Sequence, residues 1–290
     1  MKPIELNVPR HCEERSKFIL SLSKGGNLRL FLLNTFLLFA FLFVSCTTTK
    51  TFSNADILPS SGLVWTELKP GFEIANHKIR ELGVSWTCVK IDLALTKAEP
   101  VIAVKQKTFS VKSFARQNNL TVAINTTPFS KDGSLIKAEG IAKDKGRVLA
   151  APVEKYCALA FTTDKEGTLT CTILENQNSN EIQKYDYAAG GFFVVLKDNQ
   201  ILDFAQNRRS RTACGTDNTG RTLFLFAVTP DFSFTDKNGL SYPECAAILQ
   251  ELGCTQAMQF DGGHSTAMII NKKSVCAPLF QRKVAAAIGF

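Results

Sequence analysis

Short apolar runs of strand type follow one another through most of the chain with little helical period between them. That pattern limits the fold more than any other feature. SWTCVKIDLAL (Ser85 to Leu95) alternates with the period of two expected of a strand, and VIAVK, LTVAIN, GGFFVVLKDNQIL and RTLFLFAVT continue in the same way. CALAFTT and TLTCTIL, joined by DKEG, predict a hairpin. Only two stretches read as helix. SVKSFARQNN has Ser110 as its N-cap, and SYPECAAILQELG has Ser241 at the cap, Pro243 in the first turn, Glu244 three residues after the cap and Gly253 at its end. Strands without βαβ alternation predict an α+β fold, a strand-rich single domain with a mixed or antiparallel sheet and few helices. There is no repeat of solenoid length.

The first 62 residues read differently. Leu30 to Ser45 is an uncharged run of 16 residues that follows Arg29, shorter than the roughly 20 residues a membrane-spanning helix needs and of the right length for a signal-peptide core. FVSC resembles a relaxed bacterial lipobox with Cys46 as the lipidated residue, and TTTKTFSNADILPSSG reads as a polar tether. The expected organisation is a signal peptide over 1–45, with a start codon downstream of Met1, then a tether over 46–62 and a domain over 63–290. The expected location is the bacterial cell envelope, with the membrane reached through the N-terminal lipid. Without residues 1–45 the chain keeps 28 Lys/Arg against 23 Asp/Glu, and its basic residues form no block interleaved with aromatics, so nucleic acid is not an expected partner.

Seven cysteines remain beyond Cys46, with no C-x-x-C and no zinc-type spacing to histidine. Most lie in apolar strand runs, where buried free thiols acting as small hydrophobes are expected, although an oxidising envelope permits one to three disulfides.

Four stretches place polar groups at strand ends: VAINTTPF, AAGGFF, RRSRTACGTD and QFDGGHSTAM. In the last, Asp261 suits acid, base or cation-ligand work. Gly262 and Gly263 offer backbone N–H groups to an anion, His264 suits proton transfer, and Ser265 and Thr266 add hydroxyls. The structural alternative is an Asx turn between two core strands. Arg211, next to Thr212, predicts a two-pronged grip on phosphate or else an edge-strand charge cluster. Glu244 faces a site or closes a capping box, and Asn125 binds a sugar or phosphate or merely ends its strand. No cofactor is required by these residues; a Ca²⁺ or Mg²⁺ ion on Asp261 and Ser265 is left open. G-x-S-x-G, Walker, dinucleotide and H-E-x-x-H motifs do not occur.

In order, AINTTPF, AGGFFVVLKDNQ, RTACGTDNTGRTLFLFAV, SYPECAAILQELGCTQAMQFDGGHSTAM and VAAAIGF resemble the phosphodiester glycosidase family, whose animal member is the lysosomal uncovering enzyme. The resemblance runs from about Leu120 to Phe290. It implies an α+β fold and hydrolysis of a sugar joined through C1 to a phosphodiester, with a sugar-phosphate or glycan as substrate. The family's I-N-x-x-F Asn falls on Asn125, its R-T-A Arg on Arg211, its helix-start Glu on Glu244 and its D-G-G-x-S loop on Asp261 to Ser265. The resemblance thus places catalysis on Asp261 and Glu244, with His264 assisting. TTPF stands where many members have AGFF or GGFF, and that departure favours a second expectation, a surface glycan-binding lipoprotein without turnover. A third is P–O cleavage or transfer on the same scaffold.

Overall fold

A computed structural model describes residues 57–59, 62–133, 135–232 and 238–290. The leader over 1–45, Cys46 and the tether up to residue 56 lie outside the described residues. Of the rest of the tether, Ile57 is fully buried and its carbonyl accepts a hydrogen bond from Trp86 Nε1 at 3.2 Å. Packing therefore starts inside the stretch read as linker, because a buried indole needs an acceptor and Ile57 supplies one.

Among the described residues the strands form four antiparallel sheets, as expected of the strand-rich α+β class. The first has the order β1 (Thr66–Lys69), β2 (Phe72–Ile79), β3 (Val84–Asp92), β16 (Thr222–Pro230), β15 (Arg211–Thr216), β17 (Gln256–Gln259), β13 (Phe193–Lys197) and β14 (Gln200–Ile201). The second runs β11 (Leu169–Leu174), β10 (Ala158–Thr163), β12 (Tyr187–Gly190), β8 (Ala142–Asp144) and β9 (Arg147–Ala150). The third runs β19 (Lys273–Cys276), β18 (Met268–Ile270), β5 (Val122–Asn125), β20 (Val284–Gly289) and β4 (Val101–Phe109). A separate hairpin pairs β6 (Phe129–Asp132) with β7 (Leu135–Ala138).

The uninterrupted apolar run LFLFAV has a simple cause. β16 lies inside its sheet and is buried on both faces, so alternation has no polar side to show. Leu223, Leu225 and Ala227 join the core shared with Leu159 and Phe161 of the second sheet and Val122 and Ile124 of the third. Phe224, Phe226 and Val228 face the opposite core, with Trp86 and with Cys245, Ile248 and Leu249 of a helix.

Among the described residues the helices are α1 (Leu93–Thr96), α2 (Val111–Gln117), α3 (Ser179–Ile182) and α4 (Tyr242–Glu251). Ser110 caps α2 as expected, accepting from Ser113 N. The strand read as far as Leu95 stops at Asp92, whose carboxylate accepts from Leu95 N at 2.9 Å and turns the chain into α1. The run AAGGFFVVLK does not stay in one sheet. β12 ends at Gly190 and β13 begins at Phe193 in another sheet. The crossing needs glycine, since a Cβ on Gly191 would meet Gln259 O at 2.5 Å.

All seven described cysteines are free and buried, in agreement with their apolar settings, and burial pushes the Cys276 thiol up to about 12. Neutral buried thiols react only on unfolding. These seven are expected to resist a thiol reagent in the native protein, to react once denaturant is added, and to leave the thermal midpoint unchanged by reductant. A mass shift for a disulfide in the non-reduced protein would contradict this.

Candidate active site

The ends of β5 and β17 and the starts of β15 and β13 meet at one place. Ala213 of β15 and Phe193 of β13 both pair with Gln259, which closes β17 two residues before Asp261. The chain then enters a short 3₁₀ turn, Gly263–Ser265. Three backbone hydrogen bonds fix the approach. Phe260 N donates to Thr212 O, Asp261 N to Thr126 O and Gly263 N to Ser210 O, each at 2.8 Å.

Asn125 ties these elements together. Its Nδ2 donates to Asp261 O at 2.6 Å, while Oδ1 accepts from Thr212 Oγ1 at 2.8 Å and from Ala267 N at 3.0 Å. Both ends of the carboxamide are thus engaged within the protein, and the side chain is fully buried. The structure makes Asn125 and Thr212 internal braces of the loop, where a direct contact to sugar or phosphate was expected of them.

Asp261 itself is half-buried. Burial raises its carboxyl from 3.8 to about 6, opposed by the Ser265 hydroxyl, the charge of Arg282 and the Gly262 N–H. The two glycine amides expected to cradle an anion face inward: that of Gly262 serves the Asp261 carboxylate and that of Gly263 serves Ser210 O. The glycines are needed for backbone reasons. Gly263 has a φ of +59°, and a Cβ on Gly262 would meet Ser210 O at 2.8 Å. His264 is half-buried, and its carbonyl accepts from Arg282 N at 2.6 Å.

Arg211 opens β15 beside the loop. Its Nε donates to Leu240 O at 3.1 Å and an Nη to Asn207 O at 2.6 Å, and its Cζ lies 4.1 Å from the centre of the Tyr242 ring. Part of the guanidinium fork is therefore committed to carbonyls, which fixes the group over Tyr242 and reduces what it can offer a phosphate. Burial raises the Tyr242 phenol; the Arg211 charge opposes this and the Asp261 charge adds to it. Tyr242 thus lies between the charges of Arg211 and Asp261 and feels both.

Glu244 fulfils the capping-box alternative. Ser241 N donates to its Oε2 at 2.7 Å, and Ser241 Oγ accepts from Glu244 N. Arg208 adds a fork to the same carboxylate, with Nε 3.0 and 3.1 Å from the two oxygens. Burial pushes the Glu244 carboxyl up, but Arg208 and the Ser241 amide outweigh it and hold it below the ordinary value. A carboxylate so engaged positions α4 and Arg208; it is not poised to exchange protons.

Around the loop four buried hydroxyls, those of Thr126, Thr127, Ser210 and Thr266, have no hydrogen-bond partner. Each adjoins a residue just described, and each such group costs about 1–3 kcal/mol if nothing meets it. Tyr242, Arg282 and Arg208 were not anticipated from sequence. Tyr242 carried one signal, its place between cap and Pro243 in SYPE; Arg282, in the exposed QRK, carried none. Among the described residues no three His, Cys, Asp or Glu side chains converge as cation ligands.

Residues 118–290 match the family model described as phosphodiester glycosidase. The fold is similar to that of a hypothetical protein from Synechocystis, with a TM-score of 0.61 and 15% identity over 79% of this chain and 63% of that one. It is also similar to the zebrafish N-acetylglucosamine-1-phosphodiester alpha-N-acetylglucosaminidase catalytic domain auto-inhibited by its pro-peptide, with a TM-score of 0.58 and 17% identity over 82% and 92% of the two chains. At these identities the likeness is one of fold, and the chain spans 63% of the length of the Synechocystis protein. No curated protein matches the chain.

Two stability effects follow from this geometry. Asn125→Ala leaves two buried partners and one part-buried partner unpaired and is expected to lower unfolding free energy by about 3 kcal/mol. The Asp261 carboxyl titrates at about 6 when folded against an ordinary value of 3.8. The folded protein therefore binds the extra proton between those values, and stability falls as pH rises through them, by up to about 3 kcal/mol. Asp261→Asn should accordingly raise the thermal midpoint at pH 7 and leave it nearly unchanged at pH 3. A lower midpoint at pH 7 would show that the ionised carboxylate stabilises the loop instead.

Proposed function

The chain belongs to the phosphodiester glycosidase family, and on that premise we propose that it hydrolyses the C1–O bond of sugar-1-phosphodiesters of the N-acetylglucosamine-1-phosphodiester type. In this reading the substrates are glycans or cell-wall polymers, and the protein works from a lipid anchor at Cys46 in the bacterial cell envelope. The observation that carries the chemistry is Asp261: a half-buried carboxylate raised to about 6, braced from behind by Asn125 and flanked by Arg211, Tyr242 and Arg282.

Breaking C1–O transfers negative charge to the departing phosphate and leaves an oxocarbenium-like sugar. Arg282 and the uncommitted edge of Arg211 offset the phosphate charge, which the glycine amides cannot do. Asp261, ionised above about pH 6, takes a proton from the water that attacks C1. His264 in the same turn passes that proton on to solvent. The phosphate monoester is a good leaving group, so no second carboxyl acid is assigned, and Glu244 acts through Arg208 and the capping box. The hydroxyls of Thr126, Thr127, Ser210 and Thr266 flank the loop but are as fully buried as Asn125, so no sugar contact is assigned to them. We assign no obligatory cofactor; cation ligation by Asp261 and Ser265 is the point a chelator decides.

The expected result is release of free sugar from a methyl N-acetylglucosamine-1-phosphodiester, undiminished by chelator, with a rate that falls as pH drops through about 6. Asp261→Asn should lose about 10²- to 10⁴-fold in kcat, Arg211→Ala should lose activity too, and Glu244→Gln should mainly lower stability. In ¹⁸O-labelled water the label should enter the sugar; label in the phosphate would mean P–O cleavage and defeat the proposal. Near-normal turnover by folded Asp261→Asn would remove Asp261 from the mechanism. Tight glycan binding with no turnover would favour the non-catalytic lipoprotein.

A further inference from the structure

A chain of aromatic rings leads away from the candidate site. The first is Tyr242, beneath the Arg211 guanidinium. Tyr242 meets Phe193 at 6.2 Å between ring centres and Phe204 edge-on at 5.5 Å. Phe193 stacks on Phe192 with 22° between planes, and Tyr156 meets both edge-on, at 5.4 Å from Phe192 and 6.5 Å from Phe193. Beyond Tyr156 the Lys155 ammonium lies 5.1 Å from its ring centre. The rings thus form a strip with a cation at each end.

Phe204 and Tyr242 rest against the second core, while the rest of the strip turns outward. Phe193 is 40% exposed and Phe192, Tyr156, Phe204 and Tyr242 are half-buried, whereas Trp86, Phe161, Phe226 and Phe260 are fully enclosed. The protein has ample buried positions for large rings, so stability alone does not account for five together at the surface. Contiguous exposed rings of this kind mark a binding surface. Phe193 pairs with Gln259, so the strip is continuous with the loop that carries Asp261.

Sugar rings present an apolar face of C–H groups that lies well on an aromatic ring, and phosphodiesters between sugars present single negative charges. A cation, an aromatic strip and a second cation therefore complement an anion, a sugar and a second anion. Resting on the reading of Arg211 as part of the phosphate side of the reaction, we propose that this strip is a second subsite for a chain of phosphodiester-linked sugars. One phosphate lies at Arg211, the next sugar lies on Phe193 and Phe192, and the following phosphate is drawn toward Lys155. The substrate class is then a polymer of sugar phosphates, engaged over more than one repeat.

The test measures binding apart from turnover. The full chain carrying Asp261→Asn is titrated calorimetrically with two synthetic probes, the methyl N-acetylglucosamine-1-phosphodiester and a tetramer of N-acetylglucosamine joined by 1-phosphodiesters. The tetramer is expected to bind about tenfold tighter than the methyl diester. Tyr156→Ala and, at an exposed position that folding does not depend on, Lys155→Gln should each bring that ratio toward one. Equal affinity of the two probes, no binding of the tetramer, or a ratio that neither substitution moves would overturn the subsite. Hydrolysis of both probes by the unsubstituted protein separates the two ideas: a preference for the tetramer without turnover supports the subsite and overturns the glycosidase reading, and turnover without a preference does the reverse.

Discussion

The candidate site depends on one buried carboxamide. Asn125 donates from one end and accepts twice at the other, and no carboxylate or hydroxyl of similar size offers that combination. Its three partners lie on different parts of the chain: Asp261 after β17, Thr212 in β15 and Ala267 just before β18. The first and third sheets are thereby joined at the point where their strands end. The neighbouring backbone bonds, from Phe260 N, Asp261 N and Gly263 N, hold the loop in the same frame. A carboxylate held in this way takes its position from the sheets, and the loop between them has little freedom to move it.

The same junction is where the protein departs from the usual rules of burial. Among the described residues, the buried side-chain groups without partners are four hydroxyls near Asp261 and the Gln259 carboxamide at the end of β17, while other buried polar side chains are well met. Gln177, for example, accepts from Ile141 N and Val153 N and donates to Cys157 O, all between 2.7 and 2.8 Å. Around Asp261, by contrast, four buried hydroxyls lack partners and a carboxyl is raised by desolvation. A fold that satisfies Gln177 so completely is capable of satisfying Thr126 or Ser210. Local conflicts concentrated at one place in an otherwise consistent structure are the pattern expected where function sets the requirements.

Much of this was readable in the sequence, and the failures have a common cause. The capping box of α4, the Ser110 cap, the DKEG hairpin and the burial of the thiols depend on residues close in sequence or on local apolarity, and the structure shows each of them. GGFFVVLK reads as the body of a strand, and nothing local reveals that Gly191 must pass close to Gln259 while the chain crosses between two sheets. Asn125, Arg211 and the Gly262–Gly263 pair were singled out as chemistry-bearing, yet most of their hydrogen-bonding capacity is directed inward, to partners 4 to 142 residues away for the first two. Arg282 and Tyr242 reach the site through tertiary packing alone, and no spacing rule could have found Arg282.

The capping of α4 also decides where charge recognition can arise. A helix N-terminus next to a site is a ready anion-binding element when its first N–H groups are open. Here Ser241 Oγ takes up Glu244 N, and the Glu244 carboxylate sits over the same turn with Arg208 on it. A negative group already occupies the positive end of the helix, so the helix cannot contribute to gripping a phosphate. In the proposed reaction that task passes to guanidinium side chains, whose charge does not change across the working pH range. Phosphate grip and proton transfer are then separated: the arginines hold the anion at any pH, while Asp261, raised to about 6, decides how fast water is activated.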